Sequence, residues 1–166
     1  MRFKMLSLVA VALLATACSS KPEQAATATT GGTTAVAPTA PAKPSGPVPG
    51  SAEDFIVNVG DRVFFGFDKF DLTPEATATL DRQAAWLKTY KSVTITIEGH
   101  ADERGTREYN LALGDRRSTS VKNYLTALGV EAARVQTISY GKERPQVVGS
   151  NEAAWTQNRR GVTVIN

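Results

Sequence analysis

The residues from Ser51 to Asn166 predict an α/β (α+β) domain, a two-layer sandwich with helices on one face of a β-sheet. Three observations carry that expectation. Short stretches alternate in period two, as in Val93-Thr-Ile-Thr-Ile-Glu98 and Val135-Gln-Thr-Ile-Ser-Tyr140. Between them lie longer stretches whose apolar residues recur every three or four positions, so strands alternate with helices that can layer onto a sheet. The segment is 116 residues long, enough for one compact domain and too short for two.

Two further segments precede it. Residues 1–17 read as a lipoprotein signal: Arg2 and Lys4 supply the charge, Met5 to Leu14 an apolar run, and Ala15-Thr-Ala17 the small residues before Cys18. Ten residues, apolar except for Ser7, are too few to span a bilayer core of about 30 Å. Cys18 is the only cysteine, so an intrachain disulfide is impossible, and acylation explains a lone thiol in an exported chain. Ala15 stands where lipoproteins usually carry Leu. Several acyl chains, at about 0.8 kcal/mol per buried CH₂, would hold the chain on a membrane permanently. Ser19 to Gly50 is Ala, Thr, Pro and Gly with three charges and no aromatic residue, the composition of a disordered tether. Its 32 residues reach at most about 110 Å when stretched.

Within the domain, Ser51 to Val59 leads in as a short helix or strand, and the pattern leaves open which. Asp61 to Phe67 is the first strand and Asp68-Lys-Phe-Asp71 a turn. Thr73-Pro74-Glu75 starts a helix with a cap, a proline at the first position and an acid in the first turn. Ala76, Leu80, Ala84 and Leu87 form its buried stripe, flanked by Trp86 and Tyr90, and Trp86 reads as packing. The strand Val93 to Glu98 follows, then a turn bracketed by Gly99 and Gly105, then a helix capped by Thr106 and stopped at Gly129. Val135 to Tyr140 is the third strand, Gly141 to Pro145 a turn, Asn151 to Arg160 a short helix and Val162 to Ile165 the last strand. No internal repeat is visible.

Charge excludes one class of partner. The chain has 19 basic and 16 acidic residues, but 15 of each lie from Ser51 onward, so the domain is formally neutral. The high pI is no sign of nucleic-acid binding.

The charged residues crowd into the junction from Glu98 to Arg117. Leu113, Arg117, Val121, Tyr124 and Leu128 share one helical stripe, with Asn110 a turn earlier, so Arg117 sits in the middle of an apolar face. An inward arginine needs an acceptor, because an unpaired buried charge costs several kcal/mol. It either pairs internally with Asp102 or another carboxylate and braces the fold, or shares a pocket in which both groups reach a ligand. A helix N-terminus beside a strand end adds free N–H groups that attract a carboxylate. A zwitterion fits the second case, its ammonium on Asp102 and its carboxylate on Arg117.

These residues also carry a resemblance. Gly99-His-Ala-Asp-Glu-Arg-Gly-Thr106, Tyr109-Asn110 and Leu113-Gly-Asp-Arg-Arg117 resemble the signature of the OmpA-like peptidoglycan-binding domains, above all those of the peptidoglycan-associated lipoproteins. Tyr140-Gly-Lys-Glu-Arg-Pro145 and Asn151-Glu-Ala-Ala with Asn158-Arg-Arg160 follow in the expected order, so the likeness runs from about Asp61 to Asn166. The resemblance implies a mixed sheet, and a binding module with neither catalysis nor a cofactor. It implies that Asp102 and Arg117 clamp meso-diaminopimelate in the peptidoglycan stem peptide, with Asn110, Phe67 and Asp68 lining the pocket. It further implies an outer-membrane lipoprotein, its domain facing the periplasm, that joins the Tol-Pal system through TolB and other Tol proteins and supports envelope integrity and constriction at division. Ser19 after the cysteine fits that routing.

Two other functions compete. Glu98, His100 and Asp102 alternate, and on a continued strand would project from one face like metal ligands. His100 is the only histidine, which excludes sites built on two or three. A wall hydrolase lacks a nucleophile, since no Ser-centred motif is present and the sole thiol lies at the tether's base. His100 reads instead as a turn residue hydrogen-bonded locally. Asn158-Arg159-Arg160 reads as a helix end whose Arg159 pairs with carboxylates, while Arg160 is left open between that role and a partner-binding patch.

Overall fold

The structure, a computed structural model, describes residues 46–166. The signal, Cys18 and most of the tether lie outside the described residues. Past its cap Ser51, the lead-in is helical: α1 (Ala52–Asp54) continues into a π-helical turn (Phe55–Val59). Then come β1 (Arg62–Phe64), α2 (Pro74–Thr89), β2 (Ile95–His100), α3 (Arg107–Ala127), a 3₁₀ turn (Ala132–Arg134), β3 (Val135–Gly141), α4 (Glu152–Asn158) and β4 (Arg160–Ile165).

The helices start where the caps predict. Thr73 Oγ1 accepts from Ala76 N–H at 3.2 Å, Thr106 Oγ1 from Tyr109 N–H at 3.2 Å and Asn151 Oδ1 from Ala154 N–H at 3.0 Å. Several boundaries differ from the expectation. β1 spans Arg62–Phe64 rather than 61–67, because Arg159, which faces Phe65 in the same register, keeps its N–H on the Trp155 carbonyl at the end of α4, and the chain turns at Gly66 to Lys69. β2 runs on through Gly99 to His100, so the turn begins later than Gly99. α4 stops at Asn158 rather than Arg160, which already belongs to β4.

The sheet order is β1-β4-β2-β3. β2 and β3 run parallel with Ile95 opposite Val135, whereas β4 is antiparallel to both β2 and β1, so the sheet is mixed as the resemblance implies. Val63, Ile95, Ile97 and Val135 of the sheet join Leu80, Ala84 and Leu87 of α2 and Val121 and Leu125 of α3 in one core. A fully buried Leu or Ile contributes roughly 1.5–3 kcal/mol. Gln83 is buried among them with both polar atoms bonded: it donates to the Gly60 carbonyl at 2.7 Å and accepts from Thr163 Oγ1 at 2.9 Å. Trp86 packs against Phe55 and Tyr90 and donates to Asp54 at 2.9 Å, the packing role expected of it.

Candidate binding site

The parallel crossover from β2 through α3 to β3 places the 101–106 turn beside the start of α3, as parallel strands joined by a helix require. Asp102 and Arg104 belong to that turn, and Gly105 closes it at φ 91°, a left-handed conformation that glycine adopts without penalty. One turn into α3, Asn110 is buried and donates to the Arg104 carbonyl at 2.8 Å and the Thr106 carbonyl at 3.1 Å. It therefore fixes the turn onto the helix.

Arg117 has 0% of its surface exposed. Its guanidinium makes no direct bond to Asp102. Nε donates to the Lys69 carbonyl at 2.8 Å, Nη1 to the His100 carbonyl at 2.7 Å and Nη2 to the Gly66 carbonyl at 3.0 Å. The internal ion pair with a carboxylate is thus replaced by three backbone acceptors. These bonds hold the 66–69 loop against the end of β2, and they leave two of five guanidinium N–H donors outside them. Burial pulls the Arg117 pKa down to about 10, with Asp102 opposing the shift, so the side chain stays positive at neutral pH.

Asp102, 4% exposed, is held by two other arginines. Arg104 reaches it with Nη2 to Oδ2 at 2.6 Å and Nε to Oδ1 at 3.2 Å, and the Arg104 backbone N–H donates to Oδ1 at 3.1 Å. Arg159 Nη1 approaches Oδ2 from the buried side at 3.4 Å. Burial alone would raise the Asp102 pKa, but the Arg104 bonds and charge, joined by Arg159, outweigh it and leave the carboxyl below its ordinary value.

Asp102, Arg117, Asn110, Phe67 and Asp68 line one cavity of about 200 Å³, together with Arg104, Gly105, Tyr109 and Leu113. Phe67 stands 59% exposed at its mouth. Asp68 adopts φ 56° and accepts a hydrogen bond from the Tyr109 hydroxyl, which ties the 66–69 loop to α3. Sequence reasoning missed Arg104 and Tyr109. Tyr109 stands in a matched motif beside Asn110, but the role of Arg104 depends on Phe67 and Trp155, far away along the chain.

The metal-ligand alternative does not assemble. The β2–β3 register shifts between Gly99 and His100, and Asp102 turns to its arginines. Among the described residues, no three His, Cys, Asp or Glu side chains stand close enough to hold a metal ion. His100 is also not the hydrogen-bonded turn residue expected. It ends β2, is buried against Tyr140, and neither ring nitrogen makes a hydrogen bond. Glu98 lies 3.4 Å from its Nε2. Arg159 does pair with carboxylates, Asp102 and Glu152, the latter at 2.7 Å. Arg160, left open by the sequence, is buried and donates to the Asn158 and Arg144 carbonyls at 3.4 and 3.3 Å, which removes it from any surface patch.

Comparison with known proteins agrees with this architecture. The chain is 59% identical over 117 residues to a peptidoglycan-associated lipoprotein of Rhizobium meliloti, covering 70% of this chain and 66% of that protein. It is 55% identical over 118 residues to the peptidoglycan-associated lipoprotein of Mesorhizobium japonicum, covering 71% and 70%. The match thus spans about two thirds of the length of these relatives. Among solved structures, the peptidoglycan-associated lipoprotein from Burkholderia pseudomallei superimposes with TM-score 0.63 at 42% identity, covering 64% of this chain and 90% of that one. The C-terminal domain of Helicobacter pylori MotB shares the fold at 19% identity, with TM-score 0.60 and coverage of 64% and 84%. Residues 64–159, which include every element of the cavity, match the OmpA family, and the chain belongs to that family.

Proposed function

We propose that this chain is a non-catalytic lipoprotein that binds peptidoglycan and ties the outer membrane to the cell wall. One observation carries the reading: an acid, Asp102, and a base, Arg117, line the same cavity of about 200 Å³. That is the arrangement a zwitterionic head group requires, and charge-assisted bonds give it strength. The ligand is the meso-diaminopimelate of the stem peptide, its ammonium on Asp102 and its carboxylate reaching the spare donors of Arg117. Asn110, Phe67 and Asp68 shape the pocket. Cys18 carries the lipid, and the domain faces the periplasm. TolB and other Tol proteins are its partners, in envelope integrity and in constriction at division. The names of the relatives support the wall-binding part of this reading.

The test is co-sedimentation of the purified protein with sacculi. Asp102→Asn should abolish binding while the thermal transition remains cooperative, and amidation of the diaminopimelate carboxylate should weaken it. Retained binding by Asp102→Asn refutes the pocket.

A second reading has its own observation. The complete burial of Arg117 and its three backbone acceptors suit a residue that only braces the fold. Under that reading Arg117→Lys lowers stability and leaves the affinity of the folded fraction for sacculi unchanged.

A further inference from the structure

The cation already present in the cavity belongs to the protein. The Arg104 guanidinium carbon lies over both the Phe67 ring and the Trp155 ring, 4.0 Å from each centroid. Its edge is bonded to both oxygens of Asp102. Two aromatic faces and a carboxylate are the chemistry that recognises an organic ammonium. Trp155 is positioned for this by its indole N–H, which donates to Glu103 Oε1 at 3.1 Å.

Asp102 keeps a second cation when Arg104 moves away. Arg159 supplies a cation from the buried side, with its side chain 7% exposed, whereas that of Arg104 is 31% exposed and free to swing outward. The Arg104 backbone N–H would stay on Asp102 Oδ1 after such a movement, so the turn survives it. The charges of Glu103 and Glu152 also attract the Arg104 guanidinium.

We propose that Phe67, Trp155 and Asp102 form a cage for a primary alkylammonium, and that Arg104 fills this cage in the free protein as a tethered competitor which the ligand must displace. This rests on the wall-binding reading and deepens it. Arg104 sets how tightly an amine binds, and it excludes cations that lack a second group to engage the remainder of the cavity. Asp102 meets the incoming ammonium with its Arg159 bond intact. Trp155 becomes a wall of the site although it does not line the cavity while Arg104 is seated.

The experiment is calorimetric titration of the full-length protein in detergent with a purified muropeptide carrying free diaminopimelate. Arg104→Gln should bind about tenfold more tightly than wild type, the factor corresponding to about 1.4 kcal/mol. Arg104→Lys, which keeps the charge but not the planar fork, should fall between them. Acetylating the diaminopimelate amine should abolish binding to all three. An Arg104 that contacts the ligand or merely braces the turn gives the reverse order, wild type tightest, and overturns the proposal. Wild-type binding that Arg104→Gln does not strengthen sinks this inference alone. Absence of binding in both sinks the wall-binding reading as well.

Discussion

Gly99 of β2 and Gly114 of α3 meet backbone to backbone: a Cβ added to Gly99 would overlap the Gly114 carbonyl oxygen. A Cβ on Gly114 would in turn press on Ser139 Oγ and the Gly99 carbonyl. Ser139 Oγ donates to the Leu111 carbonyl at 2.6 Å, so β3 secures the helix at the same level. This contact sets the depth of α3 against the sheet. It therefore sets how far Arg117, less than one turn beyond Gly114, reaches toward the His100 carbonyl.

Gly99→Ala is expected to be destabilising by about 1–3 kcal/mol, toward the upper end because the obstacle is backbone that cannot rotate away. Denaturant unfolding measures the cost. The folded fraction should also lose affinity for sacculi, since the displaced helix carries Arg117 and Asn110 with it. An unchanged midpoint would show that α3 shifts freely on the sheet.

Arg117→Met should cost roughly 3–5 kcal/mol, because three backbone carbonyls lose their donor inside the protein. Arg117→Lys should cost less, since an ammonium keeps the charge but cannot span three acceptors in a planar fork. Urea midpoints separate the three proteins provided the slope of the transition is unchanged. Equal midpoints for Met and Lys would mean that the charge contributes nothing.

The fold was largely legible because its signals are local. Thr73-Pro74-Glu75 and Thr106 mark helix starts through caps that need only neighbouring residues, and alternation marks β2 and β3. The site was legible in its members and not in its bonds. An arginine on an apolar stripe announces that Arg117 is buried, but its acceptors lie in the 66–69 loop and at His100, 17 to 51 positions away. Spacing cannot choose between a carboxylate and three carbonyls when the chain's return path is unknown. The same holds for β1, cut short because the Phe65 carbonyl takes the Arg159 side chain, 94 positions on, in place of its N–H.

His100 gives the domain a pH dependence. Burial first, then the positive charges of Arg160 and Arg144, lower its pKa to about 4 from an ordinary 6.5, while Glu98 lies 3.4 Å from its Nε2 and the Tyr140 ring packs beside it at a tilt. The folded state thus binds fewer protons than the unfolded state between those two values. Stability is full above about pH 6.5, falls as the pH drops toward 4 and is flat below, with a loss of about 3 kcal/mol. Unfolding free energies measured across that interval check the slope, and His100→Gln should flatten it. A slope of the opposite sign would mean that the Glu98 pair outweighs burial.

Asp102→Asn separates the structural duty of that carboxylate from its binding duty. At neutral pH the variant leaves Arg159 with Glu152 alone and weakens the hold on Arg104, a loss of about 1–3 kcal/mol. The wild-type carboxyl titrates below its ordinary 3.8, so its contribution is fully present above that value and disappears as the pH falls through the lower, folded value. The stability gap between wild type and Asp102→Asn should therefore stay constant from pH 7 to about pH 5 and close in stronger acid. Guanidinium titrations at a series of pH values would reveal this convergence. A gap that persists undiminished in acid would show that the amide disturbs packing and not charge, and that the two arginines draw little from Asp102.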